Sequence, residues 1–361
     1  MENFGNYLTV QEASKKLGVS ASTLRNWDKS GKLKSQRNPY NDYRIYRHED
    51  IDVILQSLNE FKEYPEKQVI DKKKISDFTN KVIQGDCLDV MATMPDKSID
   101  MILCDLPYGT TQNKWDSVID LNKLWAEYTR IIKDNGAIVL TSQGIFTARL
   151  ILSNEEWFKY KIVWIKSKST NFLNAKKQPL RKHEDICVFY KKQPTYNPQM
   201  TPGESYDKGI RKDQFTGSYG DFKPRHVKSD GMRYPNDVVF YDEDDFDDCV
   251  YFKTAESEGP VYHPTQKPVE LGRYLIKTFT NEGDIVLDNA CGSGSFLISA
   301  ILENRQFIGI EKNEQVMLHK VKPTDYIDVC NKRINETITE MKKEKKDKTK
   351  LELVSQSAIV L

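Results

Sequence analysis

The chain has 361 residues, of which 38% are hydrophobic and 30% are charged. This length is sufficient for two or three domains, and this balance is typical of a soluble globular protein. No apolar run approaches the roughly 18 residues that a membrane span requires, and the first residues lack the basic and apolar pattern of a signal peptide. We therefore expect a cytoplasmic protein.

The formal net charge of +1 does not by itself indicate a nucleic-acid partner. Charge is nevertheless uneven, since residues 159–192 are rich in lysine and arginine while residues 242–248 are strongly acidic. A local basic surface is therefore a better guide to partners than the total. The six cysteines are scattered and form no Cys-x-x-Cys pair, so we expect buried thiols and neither disulfides nor a metal site.

The first predicted elements lie between residues 7 and 58. Thr9 and Glu12 have the spacing of a capping box, which predicts a short helix that ends at Gly18. Ser20 has the position of the next N-cap, and a second helix is expected up to residue 29. Aromatic and basic residues then alternate, and a third helix is predicted to start at His48. Two short helices joined by a tight turn are typical of a helix-turn-helix domain, predicted here over residues 1–60.

Residues 61–80 are charged and poor in apolar residues, which predicts a linker. From residue 81 onward, strand-like runs alternate with helical runs, a pattern that favours an α/β fold with a mostly parallel sheet. Seven strands are predicted, at residues 81–85, 99–104, 136–141, 161–165, 186–190, 284–287 and 307–310. We interpret residues 193–259, which interrupt this rhythm, as an inserted recognition region. The domain is expected to end at residue 335, before a charged tail at 336–361.

Four residues, Asp105-Leu106-Pro107-Tyr108, directly follow the second of these strands. Ligands of open α/β sheets bind where the strands end. A carboxylate and an aromatic ring at this place can hold a planar ring that carries an amino group, because Tyr108 stacks on its face while Asp105 accepts a hydrogen bond from the NH2. Adenine is such a ring, so the tetrad indicates chemistry on a nucleobase.

A second motif, residues 288–295, follows the strand predicted at 284–287. Its glycines, Gly292 and Gly294, allow the backbone to approach a ligand closely. Glu311 ends the next strand about 20 residues on, where an acid is placed to bind ribose hydroxyls. These features indicate a nucleoside cofactor. The third glycine of the dinucleotide fingerprint is missing, which disfavours NAD and leaves S-adenosylmethionine as the better candidate.

Together the motifs resemble those of the β-class DNA amino-methyltransferases, which act on exocyclic amines. Residues 105–109 resemble the D-P-P-Y tetrad of that family, residues 263–268 its H-x-T-Q-K-P block, and residues 288–295 its cofactor loop, in the permuted order of the β class. The resemblance covers roughly residues 81–335 and implies a Rossmann-like, S-adenosylmethionine-dependent methyltransferase sheet with helices on both faces. Leu106 replaces the first proline of the tetrad, and Asn289-Ala290-Cys291 replaces the commoner P-F-A.

The resemblance implies a role for each matching residue. Asp105 and the Leu106 carbonyl are expected to accept the two hydrogens of the target amine, and Tyr108 to stack on the flipped base; with Pro107 they form the predicted catalytic tetrad. Asp86 is expected at the cofactor adenine, Glu311 at its ribose, and residues 265–267 at its methionine end. No metal is expected. The predicted cofactor-binding residues are Asp86, Cys87, Thr265, Gln266, Lys267, Asp288, Ala290, Gly292, Gly294, Ser295 and Glu311.

The N-terminal unit resembles the winged helix-turn-helix of MerR and excisionase-type proteins, on residues 23–27 and 31–33. Leu24 and Trp27 fall on the core face of the second helix. Its opposite side is therefore expected in a major groove, and the basic wing on phosphates or the minor groove. A protein–protein docking module is the alternative. The predicted DNA-binding residues are Ser22, Thr23, Arg25, Asn26, Arg37, Arg44 and Arg47.

We therefore predict a DNA adenine-N6 methyltransferase that flips its target base out of double-stranded DNA. An acid at the first tetrad position favours adenine N6, because the enzymes that act on cytosine N4 more often carry serine there. Cytosine-N4 methylation, or a DNA-binding regulator with a vestigial catalytic domain, remain alternatives. Double-stranded DNA in the nucleoid is the expected partner, whereas a cognate restriction nuclease and a homodimer are left open by the sequence.

Overall fold

The computed structural model describes residues 6–60, 71–109, 117–211, 214–216, 220–222, 225–239, 254–258, 260–263, 265–313 and 324–358. The chain divides into two compact units, residues 1–70 and 71–361. The division falls before residue 81, where the large domain was predicted to start. Phe78 is buried in the core of the large unit, and the backbone N–H of Asn80 donates to the carbonyl of Phe307 at 2.6 Å, so these residues pack with the large unit.

The small unit is a winged helix-turn-helix, as predicted. The Thr9 hydroxyl accepts from the Glu12 backbone at 3.3 Å, the Glu12 carboxylate accepts from the Thr9 backbone at 2.8 Å, and Gly18 ends the first helix with a φ of 66°. Ala13, Leu24 and other apolar residues form its core. Its three strands pair antiparallel in the order β1-β3-β2. Its elements are β1 (Tyr7–Thr9), α1 (Val10–Leu17), α2 (Ala21–Ser30), β2 (Gln36–Arg37), β3 (Arg44–Arg47) and α3 (His48–Glu60).

The large unit alternates strands and helices before and after an insertion. Its first elements are β4 (Lys81–Gln84), α4 (Cys87–Ala92), β5 (Ile99–Asp105), α5 (Leu121–Ile131), β6 (Ile132–Ser142), α6 (Ile145–Ser153), β7 (Phe158–Thr170) and β8 (Arg181–Phe189). The insertion holds the short strands β9 (Thr201–Pro202), β10 (Tyr206–Arg211), β11 (Gln214–Thr216), β12 (Gly220–Phe222), β13 (Arg225–Ser229), β14 (Met232–Arg233) and β15 (Val238–Val239). The last elements are α7 (Ala255–Glu258), α8 (Val269–Phe279), β16 (Ile285–Asp288), α9 (Ser295–Leu302), β17 (Gln306–Glu311) and α10 (Tyr326–Ala358).

All seven predicted strands are present in one sheet, which has the order β15-β7-β8-β6-β5-β16-β17-β4. Its eighth strand, β15, comes from the insertion and pairs parallel with β7. Strand β8 runs antiparallel to both of its neighbours, while the other adjacent pairs are parallel. This reversal is important for the site, because it brings the start of β8 to the edge where the parallel strands end.

Helices cover both faces of the sheet, as predicted. Successive residues of β5 point to opposite faces, so Met101 and Leu103 pack with α8 and α9 while Ile102 and Cys104 pack with α4, α5 and α6. The start of α10 joins the first of these layers through Cys330 and Ile334. Burial on both faces explains why the strands were recognisable as continuous apolar runs.

Besides β15, the described part of the insertion contains three two-stranded sheets, which pair β9 with β14, β10 with β13, and β11 with β12. The acidic stretch at 242–248 lies outside the described residues, and so does Cys249. The other five cysteines are buried and free, as predicted. No helix in the described part of the chain is long and apolar enough to cross a membrane.

Candidate active site

A cavity of about 770 Å³ opens at one edge of the sheet, where β4, β5, β16 and β17 end. Parallel strands place their carboxyl ends at the same edge, which is where open α/β sheets bind ligands. Fourteen of the fifteen residues predicted for the catalytic tetrad and the cofactor line this cavity, whereas Gly294 does not. A Cβ atom at Gly294 would instead meet the Cys330 thiol on α10 at 3.0 Å. The cavity thus joins sequence motifs that lie far apart in the chain.

Asp105 lies at one end of the cavity, which we name the catalytic end because the predicted tetrad lies there, and its carboxylate accepts several hydrogen bonds. Its Oδ2 atom accepts from Lys267 Nζ at 2.8 Å, and its Oδ1 atom accepts from the Tyr108 hydroxyl at 2.7 Å. The Thr141 hydroxyl also contacts Oδ1. Burial raises the pKa of Tyr108 well above its ordinary value, so this hydroxyl remains a donor.

The rest of the tetrad is fixed by packing. The Tyr108 ring stacks on Phe146 with ring centroids 5.1 Å apart and planes 29° apart. The Leu106 side chain is buried in the core. Leu106 therefore needs no particular side-chain chemistry at this position, and only its backbone is required for the predicted contact with the amine.

A chain of alternating charges extends from Asp105 into the protein. Lys267 Nζ lies 3.2 Å from Glu184 Oε2, and Glu184 Oε1 lies 3.1 Å from Lys166 Nζ. Burial would raise the pKa of Glu184, but the two lysines outweigh it and hold this pKa below its ordinary value. Burial alone would likewise lower the pKa of Lys267, yet Asp105 and Glu184 keep it above its ordinary value. Glu184 and Lys267 are thereby held in their charged forms.

Sequence analysis did not predict all members of this series of alternating charges. Sequence analysis singled out neither Glu184 nor Lys166 as a site residue, and it placed Lys267 at the methionine end of the cofactor, whereas the Lys267 ammonium contacts the Asp105 carboxylate. The available signal was the hairpin of β7 and β8. In an antiparallel hairpin, the start of the second strand lies at the same edge as the end of the first, which brings Lys166 and Glu184 to the cavity.

The glycine loop forms the other end of the cavity. We name it the donor end, because the residues predicted to bind the methyl donor lie there. Glu311 Oε2 accepts from the Gly292 backbone at 2.8 Å, and its Oε1 accepts from the Asn313 backbone at 2.9 Å. Gly292 has a φ of 50°, a conformation that side-chain-bearing residues rarely adopt. Burial raises the pKa of Asp288 to about 7, although the Ala290 N–H lowers it in part. The loop thus holds two acids close to any ligand at this end.

The H-x-T-Q-K-P block closes over the glycine loop. Gln266 Oε1 accepts from the Ser293 hydroxyl and from the Tyr262 backbone, each at 3.0 Å. His263 Nδ1 lies 3.2 Å from the Thr265 backbone nitrogen, and burial lowers the pKa of His263, so its neutral ring acts as an acceptor. His263 thus contacts the backbone of its own loop, while Pro264 lies outside the described residues.

Helix α10 supports the glycine loop from outside, a contact that sequence analysis did not predict. The Cys330 thiol donates to the Gly292 carbonyl at 2.9 Å, and Arg333 Nη1 donates to the Ser293 carbonyl at 2.5 Å. These bonds satisfy two carbonyls of a tight loop. The loop conformation therefore depends on a helix that begins well after the loop in the chain.

Asp86 lies beside the donor end, directly after β4. Its Oδ1 atom caps α4 by accepting from the Leu88 backbone at 3.0 Å, and its Oδ2 atom lies 3.9 Å from Lys312 Nζ. Burial raises the pKa of the neighbouring Cys87 thiol to about 11, so this thiol is protonated and unreactive near neutral pH. Both residues line the cavity.

Three buried polar atoms that line the cavity have no hydrogen-bond partner among the described residues. They are Trp164 Nε1, Asn289 Nδ2 and Ser295 Oγ; a fourth such atom, Glu184 Oε2, lies in an ion pair 3.2 Å from Lys267 Nζ. The carbonyl oxygen of the Asn289 side chain, by contrast, accepts from the Tyr128 hydroxyl at 2.5 Å, which fixes the orientation of this amide. Because buried polar groups are nearly always hydrogen-bonded, unpaired atoms at one cavity indicate a polar ligand. A nucleoside cofactor with sugar hydroxyls and an amino-acid end fits this set.

The predicted DNA-binding residues lie on α2 and the wing of the small unit. Ser22, Arg25 and Asn26 are exposed, and Leu24 is buried beneath them. Thr23 is half-buried, and its hydroxyl lies 2.8 Å from the hydroxyl of the N-cap Ser20. Helix α2 thus presents polar groups on one side only.

Each wing arginine is held by a nearby acceptor. Arg44 pairs with Asp28 at 2.8 Å, Arg47 pairs with Asp50 at 2.9 Å, and Arg37 donates to the Asp42 carbonyl at 2.8 Å. The Ser35 backbone and Arg44 lower the pKa of Asp28 to about 2. These contacts orient the guanidinium groups on the wing.

A mostly parallel sheet covered on both faces, with the Asp105 carboxylate and a glycine loop at one edge, defines a Rossmann-like methyltransferase fold. A family model described as DNA methylase, of the N6/N4 type, matches residues 99–322. The chain therefore belongs to this DNA methylase family, whose methyl donor is S-adenosylmethionine. A second model, described as MerR family regulatory protein, matches residues 9–46 in the small unit.

Curated relatives match most of the chain. The type II methyltransferase M.HinfI of Haemophilus influenzae is 26% identical over 73% of this chain and 71% of its own length. The DNA adenine methyltransferase YhdJ of Escherichia coli strain K12 is 28% identical over 73% of this chain and 88% of its own length. The crystal structure of the M1.HpyAVI–SAM complex aligns with a TM-score of 0.46 and 21% identity, over 70% of this chain and 98% of that chain.

Proposed function

We propose that this DNA methylase transfers a methyl group from S-adenosylmethionine to adenine N6 in double-stranded DNA, after flipping the target base. The observation that carries the proposal is the position of Asp105 and Tyr108 in one cavity with the glycine loop and Glu311. The name of the relative YhdJ, a DNA adenine methyltransferase, supports adenine as the target.

The catalytic end supplies positioning rather than a covalent intermediate. S-adenosylmethionine supplies an activated methyl group on a sulfonium. Asp105 accepts a hydrogen bond from the adenine NH2, and the Leu106 carbonyl accepts the second, which orients the nitrogen lone pair. Because both oxygens of Asp105 already hold donors, the amine replaces one of them or shares its oxygen. Lys267 then retains Glu184 as its second acidic partner.

Tyr108 stacks on the flipped base. Flipping costs about a few kcal/mol, and base–aromatic stacking offsets roughly 1–3 kcal/mol of it. The packing of the Tyr108 ring on Phe146 keeps the tyrosine in place before the base arrives. A preordered ring reduces the entropy that the base must lose on binding.

The donor end holds S-adenosylmethionine. Glu311 accepts from the cofactor ribose with the lone pairs that Gly292 and Asn313 leave open, and Asp86 contacts the cofactor adenine. The unpaired atoms Asn289 Nδ2 and Ser295 Oγ face the polar groups of the cofactor. Thr265 and Gln266 border the methionine end of the cofactor, while Lys267 forms an ion pair with Asp105.

The small unit contributes DNA affinity or site choice through α2 and the wing. The exposed Arg25 and Asn26 enter the major groove, and the wing arginines contact phosphates. Deletion of residues 1–60 is expected to weaken DNA binding while the large unit still binds S-adenosylmethionine. Unchanged DNA binding after this deletion would favour the docking-module alternative. A cognate restriction nuclease, a homodimer and a place in the nucleoid are part of the same proposal.

The test is transfer of labelled methyl groups from S-adenosylmethionine to unmethylated genomic DNA, followed by digestion to nucleosides. We expect N6-methyladenine, and no transfer by the Asp105→Ala variant. N4-methylcytosine as the sole product would refute the adenine assignment. DNA binding without donor binding or transfer would favour a vestigial regulator. Single-molecule sequencing of the methylated DNA identifies the recognition site.

A further inference from the structure

Two large apolar side chains are exposed side by side in the loop between β7 and β8. Phe172 is 74% exposed and Leu173 is 85% exposed. A lone exposed apolar residue is ordinary, but adjacent ones on a short loop indicate a surface that contacts something else. We name the loop formed by residues 171–180 the β7–β8 loop.

The β7–β8 loop has a fixed local structure that presents these side chains. Residues Phe172–Asn174 form a single 3₁₀ turn that follows Asn171, whose φ is 68°. Asn174 Nδ2 donates to Asn171 Oδ1 at 2.7 Å, and the Ala175 backbone donates to the Phe172 carbonyl at 3.1 Å. Little ordering entropy is therefore lost when the loop meets a partner.

The loop lies at the mouth of the active-site cavity. Strand β7 ends and strand β8 begins at this edge, because the two strands are antiparallel. Thr170 and Asn171 on one side of the loop, and Arg181 on the other, line the same cavity as Asp105 and Tyr108. Whatever enters the cavity passes close to the exposed pair.

The charge of this segment matches DNA. Residues 166–183 include six lysines and arginines and no acid. Four lysines of the segment are exposed, and none of them pairs with an acid among the described residues; they are Lys168, Lys176, Lys177 and Lys182. Phosphates of a duplex are the polyanion that such a surface attracts.

We propose that Phe172 and Leu173 form a wedge that enters the duplex where the target base has left the stack. This inference rests on the proposed base-flipping function. Apolar side chains that insert between base steps are a known means of holding DNA in an unstacked state. Here the wedge occupies the gap, the flanking lysines hold the phosphates, and the flipped base reaches Tyr108.

The test uses the full-length protein and a duplex that contains its mapped recognition site. The fluorescent base 2-aminopurine at the target position reports flipping, because its emission rises when it leaves the stack. The double variant Phe172→Ala/Leu173→Ala is compared with Leu152→Ala, which removes a 67% exposed leucine of α6. Single-turnover methylation is measured on the duplex with a paired target adenine and on one with a mismatched target adenine.

We expect the double variant to show less 2-aminopurine emission and about tenfold slower methylation of the paired target, since it loses part of the energy that offsets flipping. Its rate on the mismatched target should approach that of the wild type, because a mismatched base is easier to flip. Donor affinity should stay unchanged, and Leu152→Ala should behave as the wild type.

Equal slowing on the paired and mismatched targets would overturn the wedge, because it would indicate a defect in the chemistry or in folding. Wild-type rates on both targets would overturn it as well. Absence of methylation by the wild-type protein on any DNA would refute the proposed function instead. A second variant, Lys176→Ala/Lys177→Ala, is expected to weaken binding of both duplexes equally.

Discussion

The two ends of the cavity hold their acids in opposite surroundings. At the catalytic end, Lys267 and Lys166 outweigh burial and keep the pKa of Glu184 below its ordinary value. At the donor end, burial raises the pKa of Asp288 to about 7, with smaller contributions from the carboxylates of Asp105 and Glu311. One end therefore balances its own charges, whereas the other holds excess negative charge.

This difference suits the two molecules that the cavity is proposed to bind. A neutral adenine needs no counter-charge, so a balanced end accepts it without an electrostatic penalty. The sulfonium of S-adenosylmethionine carries a positive charge, and a nearby carboxylate is stabilised in its ionised form by such a cation. Substitutions that change each end separately test this difference.

The largest effect is expected from Asp105→Ala, which removes the acceptor for the target amine. Methyl transfer should fall by about 10²–10³-fold or more, since a group that acts on the reacting atoms is lost. Donor affinity, measured by calorimetry, should stay within a few-fold of the wild type, because Asp105 lies at the catalytic end. A transfer rate near that of the wild type would contradict the role of Asp105.

The next change, Glu184→Gln, tests the charge balance. It leaves Lys267 and Lys166 buried with one acid fewer, so the free energy of unfolding near neutral pH should fall by about 3–5 kcal/mol. The folded pKa of Glu184 is depressed, so its stabilisation is present above the unfolded pKa and is lost as pH falls through the folded value. Urea unfolding should show the difference between wild type and variant shrinking in acid. The change Glu155→Gln at an exposed position is the matched control. An equal loss of unfolding free energy in both variants would refute the charge balance proposed around Glu184.

Donor binding should depend on pH through Asp288. Its carboxyl ionises as pH rises through about 7, and the ionised form attracts the sulfonium, so donor affinity should rise with pH by up to about tenfold per pH unit. The stability of the protein without S-adenosylmethionine changes in the opposite direction. Because the folded pKa of Asp288 is raised, this stability falls as pH rises through this range.

Asp288→Asn should flatten the pH dependence of the dissociation constant for S-adenosylmethionine. S-adenosylhomocysteine, which lacks the sulfonium charge, is the control ligand, and an equally steep profile for it would contradict the electrostatic account.

The smallest effect is expected from Ser293→Ala at the donor end. The variant loses the 3.0 Å hydrogen bond to Gln266, which contributes about 0.5–1.5 kcal/mol, so donor affinity should fall about two- to tenfold without a change in kcat. Ser20→Ala in the small unit removes a helix N-cap and should cost about 1 kcal/mol of stability there while donor affinity stays constant. A lower kcat in Ser293→Ala would show that the two ends are not separable.

Local signals in the sequence predicted the elements and the strand ends that carry the site. Thr9 and Glu12 form the capping box that their spacing indicated. Asp105 and Glu311 end two strands of the same sheet, as their positions after apolar runs predicted. These features depend on neighbours in the chain, so a single sequence contains enough information to find them.

Local sequence patterns could not predict which distant side chains contact these residues. Lys267 and Asp105 are 162 positions apart, and only the assembled sheet brings the ammonium to the carboxylate. Glu184 carried no functional signal in the sequence, and only the reversed direction of β8 places it between two lysines. Asn289 departs from the family motif in the sequence, but its hydrogen bond with Tyr128 joins the glycine loop to the distant helix α5, which no local pattern indicates. Long-range partners of this kind depend on topology rather than on local pattern.

The contact of α10 with the glycine loop has a consequence for the order in which the protein matures on the ribosome. Cys330 and Arg333 bind the carbonyls of Gly292 and Ser293, yet they are synthesised after them. While the nascent chain still lacks α10, these carbonyls have no such donors. The pocket for the methyl donor is therefore completed late in translation, after the sheet strands have been made.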